Sequence, residues 1–314
     1  MKKIFLLTLL ALLVSAFRIT PVGEVKVGNA PTYAALSPDG GLLYVTNFAS
    51  DEVKVIDTTR RRVVATFYAG YEPLGIAVNP SGTKIFVTNY SNGLVKVVDA
   101  KTYQILDDIK VSGIPSNVVI SPNGAQAFVT NFGRGKIGRV DFIDTTSHDV
   151  TGEIEIGVRP LAAAVSLLGD YLYVICGGSD ELYVIDIADK KVIQKMAVGH
   201  APDGIALSPD GNTLYVSNSR TNDISVIDLL DLRETRRVSV GKRPWSLDVS
   251  REGNIFVVET GDKAVSVLTP DFQKVATFKV KDKPIDIQLS PDDRFAYVTD
   301  EKDNKVFIFE ISRP

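Results

Sequence analysis

Apolar positions along this chain come in short runs, some alternating and some continuous, and the runs are grouped in fours. One group reads clearly. Gly204-Ile205-Ala206-Leu207 is followed by the turn Ser208-Pro209-Asp210-Gly211. Then come Leu214-Tyr215-Val216-Ser217-Asn218, Ile224-Ser225-Val226-Ile227-Asp228 and Val238-Ser239-Val240. Runs of this length, bounded by turn signals, predict strands rather than helices. Proline sets φ at the second position of the Ser-Pro-Asp-Gly turn and glycine suits the fourth, so the first two strands, A and B, form a hairpin. The same order recurs along the chain. Each group opens at a proline (Pro31, Pro73, Pro115, Pro160, Pro202, Pro244 and Pro284), at intervals of 40 to 45 residues. Four strands per unit of about 40 residues is the signature of a propeller blade. The chain is therefore expected to be all-β: a seven-bladed propeller with strands A to D in each blade. A solenoid of stacked sheets is the alternative, but it would need atypical capping units at its ends, and none is present.

The strand count predicts a closed ring. Six D strands follow their C strands, for example Phe67-Tyr68-Ala69 and Phe278-Lys279-Val280, but after the seventh C strand, Val306 to Glu310, the chain ends. The missing D strand is at the other end, at Val25-Lys26-Val27. An N-terminal strand that completes the last blade would cover its raw edge and fasten the ring without a covalent link. The third unit is the longest, and its extra residues are expected around Val140-Asp141-Phe142-Ile143-Asp144, as a bulge or extended loop.

Composition adds location. Residues 1–16 carry Lys2 and Lys3, an apolar run from Ile4 to Val14 and a small-residue Val14-Ser15-Ala16 site. That is the pattern of a cleaved export signal, and it is shorter than a membrane-spanning helix. The mature chain is expected to start near Phe17 and form one domain over 17–314: secreted, periplasmic or on the cell surface, monomeric, with no membrane span. The single cysteine, Cys176, excludes an internal disulfide. A net charge of −3 gives no global field toward nucleic acid, which is not an expected partner.

The B strands Tyr44-Val45-Thr46-Asn47, Phe86-Val87-Thr88-Asn89 and Phe128-Val129-Thr130-Asn131, with the Ser-Pro-Asp-Gly turns, resemble the signature of the YVTN-repeat β-propellers. The resemblance covers residues 22–314. It implies the propeller fold, and a function like that of surface-layer proteins or other exported propellers. Units four, six and seven depart from it at Cys176, Glu259 and Asp300.

In such propellers the D–A and B–C loops meet on one face around a central channel. On that face the sequence places aromatic residues in the first three units and basic residues in units three to seven. The candidate binding residues are Phe48, Tyr90, Phe132, Arg159, His200, Lys242, Arg243 and Trp245. Such a face suits a small anionic, partly apolar ligand, or an envelope or extracellular protein. His148 and His200 are the only histidines, too few for a multi-histidine metal centre. No cofactor or metal is expected. His200, Glu259 and Asp300 are the candidates for acid–base chemistry. The leading expectation is an exported, non-enzymatic binding or scaffold module. The alternative is an enzyme at the channel mouth, of lactonase, lyase or cofactor-bound oxidoreductase type; fold alone does not decide between them.

Overall fold

In a computed structural model, residues 18–133 and 137–312 are described. They form seven four-stranded antiparallel sheets. In blade 1 strands A to D are Pro31–Leu36, Leu42–Asn47, Glu52–Asp57 and Arg62–Tyr68. Blades 2 to 6 repeat that order. Burial explains the sequence pattern of each strand. B and C strands are sandwiched between neighbouring blades and buried almost throughout, as in Leu214, Val216, Ile224 and Ile227. They therefore read as near-continuous apolar runs. D strands form the outer edge and alternate, as in Arg233–Ser239. Their charges discourage edge-to-edge pairing with another chain.

The ring closes as expected. Blade 7 consists of Pro284–Leu289, Phe295–Asp300 and Lys305–Ser312, with the N-terminal strand Arg18–Lys26 as its fourth member. That strand is longer than the Val25-Lys26-Val27 core seen in the sequence, and Val25 faces Val306 across the pair. The export segment, residues 1–16, lies outside the described residues. The extra length of blade 3 is not where the sequence suggested. The bulge at Phe142/Ile143 is matched by bulges in the other C–D pairs, such as Val55/Ile56 and Val226/Ile227. The insertion is instead in the B–C loop. Seven residues separate Asn131 from its partner Arg139, where four separate Asn47 from its partner Glu52.

Thr or Ser side chains of the B strands tie neighbouring blades together. Thr46 Oγ1 donates to the Leu74 carbonyl of the next blade at 2.9 Å, and Ser217 Oγ does the same to Trp245 at 2.9 Å. At the seam Thr299 Oγ1 donates to the Thr32 carbonyl at 2.7 Å. The Asn residues are buried under the D–A loops: Asn89 fills the space beside Gly70, where φ is +95° and a Cβ would meet the Asn89 side chain. Only glycine fits there.

The candidate active site at the channel mouth

The seven A strands surround a channel cavity of about 550 Å³. At one end of it the D–A and B–C loops meet, as expected. The residue after each B strand donates its N–H to the residue before the proline: Phe48 to Ala30, Tyr90 to Glu72, Ser219 to Ala201 and Thr260 to Arg243. A second set of bonds joins neighbouring blades. Side-chain oxygens of Asp51, Asp180, Asn222 and Asn304 accept the N–H of Glu72, Ala201, Arg243 and Ala30 at 2.8–2.9 Å. All eight residues have φ between 50° and 58°. Asp and Asn tolerate that left-handed region, and their side chains hold the strained Ala, Glu and Arg opposite them. This rim is a rigid frame.

The residues that follow the B strands divide the rim in two. In blades 1 to 3 they are Phe48, Tyr90 and Phe132, whose ring centroids lie 5.9 and 6.0 Å apart in succession. In blade 5 the equivalent residue is Ser219, whose hydroxyl donates to the Ala201 carbonyl at 3.2 Å and stands close enough to Asp203 to lower its carboxyl. Asp203 is the first residue after Pro202 and lines the channel cavity. Burial pushes its carboxyl up to about 6, against the lowering effect of Ser219 and of the nearby guanidinium groups of Arg159, Arg243 and Arg220. Those arginines come from blades 4, 6 and 5. Arg159 and Arg243 are residues that the sequence placed on the binding face.

The remaining sequence candidates are placed as follows. His200 Nδ1 lies 2.7 Å from Asp180 Oδ2, and its ring is well exposed. Glu259 is buried and accepts the Gly241 N–H at 2.7 Å. Asp300 is buried and accepts the N–H of Lys283 and of Asp303 at 3.0 Å. Glu259 and Asp300 therefore occupy the Asn position of the B strand and hold their own D–A loops. Among the described residues no hydrogen bond or ion pair joins any two of His200, Glu259 and Asp300. Lys242 is exposed, its N–H given to Asp262 at 2.7 Å. Trp245 is half-buried beside Tyr33, a channel-lining residue whose hydroxyl it influences. Cys176 is buried, which pushes its thiol up to about 12. His148 ties blades 2 and 3, between Asp107 at 3.0 Å and Lys84 at 2.9 Å. Among the described residues no group of three or more His, Cys, Asp or Glu side chains is placed to hold a metal ion.

Residues 8–271 match the family described as "Lactonase, 7-bladed beta-propeller". The chain belongs to the lactonase propeller family. The match names that family, and not the YVTN-repeat grouping that the B strands resemble. No curated protein matches the chain. Among solved structures it is similar to hydrazine synthase of Kuenenia stuttgartiensis, with a TM-score of 0.82 and 22% identity over 90% of this chain and 95% of that one. At that identity the likeness shows the fold alone.

The channel of this lactonase propeller holds one more carboxylate that sequence reasoning passed over, Asp286, and strand A of blade 6 buries another, Asp248. Asp286 accepts from Ser246 Oγ at 2.8 Å and from the Ala34 N–H at 3.0 Å, so it links blades 6, 7 and 1. Asp248 accepts the Leu289 N–H at 2.8 Å. Burial pushes both up to about 6. The Tyr33 phenol is held far above its usual value by burial, with Asp286 and Asp203 adding to the effect. A signal for Asp203 and Asp286 was present. When the A strands are aligned on their prolines, Asp203 stands where Leu74 and Leu161 stand, and Asp286 where Gly75 and Ala162 stand.

A raised carboxyl in the folded state has a definite consequence for stability. Folding favours the protonated form of Asp286, so the associated stability is present below the unfolded value of about 4 and is lost as pH rises through about 6. Asp286→Asn keeps an acceptor for Ala34 and removes the buried charge. Its melting temperature is expected to exceed that of the wild type at pH 7.5 and to approach it near pH 4. A variant equally destabilised at both pH values would show that the charge is not the issue.

Proposed function

We propose that this protein hydrolyses a lactone where the channel meets the loop face, with Asp203 as general base. The observation that carries the reading is a channel-lining carboxylate with a pKa of about 6, acted on by three guanidinium groups of the loop face, in a chain of the lactonase propeller family. A base with a pKa close to the working pH is effective in proton transfer. Asp203 takes a proton from water, and the water oxygen attacks the lactone carbonyl carbon. The resulting oxyanion lies among the positive charges of Arg159, Arg220 and Arg243, which stabilise it as it forms. The ring C–O bond then breaks, its electron pair goes to the leaving oxygen, and that oxygen recovers the proton from Asp203. The product is the open hydroxy acid, released as a carboxylate.

The test is consumption of δ-valerolactone by the purified protein, followed by acid release, beside the Asp203→Asn variant. Steady hydrolysis by the wild type alone supports the reading. Rates equal to the buffer background, or equal in the two proteins, overturn it. In the first case the face would serve binding without turnover, with a small anionic ligand or an envelope protein as partner. Export belongs to the same proposal, supported by the pattern of residues 1–16. N-terminal sequencing of the native protein should then begin near Phe17; an intact Met1 would count against it.

A further inference from the structure

The aromatic half of the rim has no task in the chemistry above. Phe48, Tyr90 and Phe132 all occupy the position that Ser219 occupies in blade 5, directly after strand B and beside the start of strand A. Ser219 stands close to Asp203 at that position. The three rings therefore border the same mouth, on the far side from Asp203 and its arginines. They touch in succession at 5.9 and 6.0 Å, tilted at 59° and 78°. All three remain partly exposed, so they form one apolar arc across three blades instead of three buried contacts. Below them the channel lining of blades 2 to 4 is mostly apolar, with Ala77, Val119 and Ala162 beside one polar residue, Asn117. The mouth is thus amphipathic: a charged sector that would receive a reacting ester, and an apolar sector opposite.

We infer that Phe48, Tyr90 and Phe132 form a subsite for an apolar substituent on the ligand, so that the substrate class is a lactone carrying an alkyl or aryl tail and not a bare ring. This inference rests on the lactone reading for the nature of the head group. The tail subsite itself can be tested without turnover. Aromatic faces suit such a tail, since removing apolar surface from water drives binding without directional demands.

The molecule contains its own probe. Trp245 is the only tryptophan, and it stands at the mouth beside Tyr33. Its fluorescence should respond to ligands in the channel mouth. The experiment titrates δ-valerolactone and δ-decalactone, which differ by a pentyl tail, into full-length mature Asp203→Asn protein. A fully buried methylene is worth about fourfold in affinity. With partial burial, δ-decalactone is expected to bind at least ~20-fold more tightly. In Tyr90→Ala, which removes the central ring, the affinity ratio should fall toward one. Leu168→Ser, which changes an 85% exposed leucine in the A–B turn of blade 4, should leave the ratio as it was. Circular dichroism melting of each variant separates a local effect from loss of the fold. Equal affinities for the two lactones in the parent protein, or a ratio unchanged by Tyr90→Ala in a folded variant, would overturn the subsite. Failure of the lactone reading shows elsewhere, as absence of hydrolysis by the wild type.

Discussion

Deleting residues 18–26 is expected to leave a protein that does not fold stably, while deleting only residues 1–16 should leave the melting temperature unchanged. The nine deleted residues form the whole fourth strand of blade 7. Val25 is 5% exposed and packs with Leu43, Ile56 and Ile308, so this strand is part of the contact between blades 7 and 1. Ile19 packs against the cluster of Phe278 and Phe309 on the other side. Burying each such side chain is worth about 1.5–3 kcal/mol, and each lost backbone bond of the ladder about 0.5–1.5 kcal/mol. The strand's contribution is therefore on the order of 5–10 kcal/mol, comparable with the net stability of a whole domain. The deletion would also expose Lys305–Ser312 as an unpaired edge rich in Val, Ile and Phe, which favours aggregation. Thermal melts of the two truncated proteins decide the matter. Equal melting temperatures would mean that the ring is held closed by its inner strands, through contacts such as Thr299 to Thr32, and does not need the outer one.

The second large effect concerns Asp203. Asp203→Asn should lower kcat/KM for lactone hydrolysis by ~10²–10⁴-fold, the usual contribution of a positioned general base. The pH profile makes the test more specific. The base works deprotonated, so the wild-type rate should rise with pH and level off above about 6. That rising limb should vanish in the Asn variant. Because Arg159, Arg243 and Arg220 lower the Asp203 value, Arg159→Gln should shift the limb to higher pH as well as slowing the reaction, since one cation then neither holds the base ionised nor meets the oxyanion. A limb that stays in place would assign the base to another group, and His200, oriented by Asp180 at 2.7 Å, would be the next to replace.

The mouth shows how far local pattern carries. Phe48, Tyr90 and Phe132 could be grouped from their shared place after Thr-Asn, because a repeat puts equivalent residues at equivalent radius around the ring. Arg159 and Arg243 could be placed on the loop face for the same reason. Glu259 and Asp300 were misleading, because a carboxylate in place of Asn looks like chemistry when seen alone. In the folded chain it accepts the same loop's backbone N–H groups, Gly241 for one and Lys283 for the other. Asp203 was missed because it lies inside a strand, where no turn or motif draws attention to it.

The number of blades, the four-strand unit, the hairpin turns and the N-terminal closure were all determined by the sequence itself. Each depends on period, turn chemistry and strand count, which are local or countable along the chain. The tertiary structure alone decided which charges gather around the channel. Asp203, Asp286, Arg159, Arg220 and Arg243 come from blades 4 to 7 and are far apart in sequence. A carboxyl value near 6 arises from burial, and at Asp203 the arginines of neighbouring blades keep it from rising further. The same holds for the Thr side chains of the B strands. Their recurrence is plain in the sequence, but their role as ties to the next blade depends on the ring having brought that blade alongside.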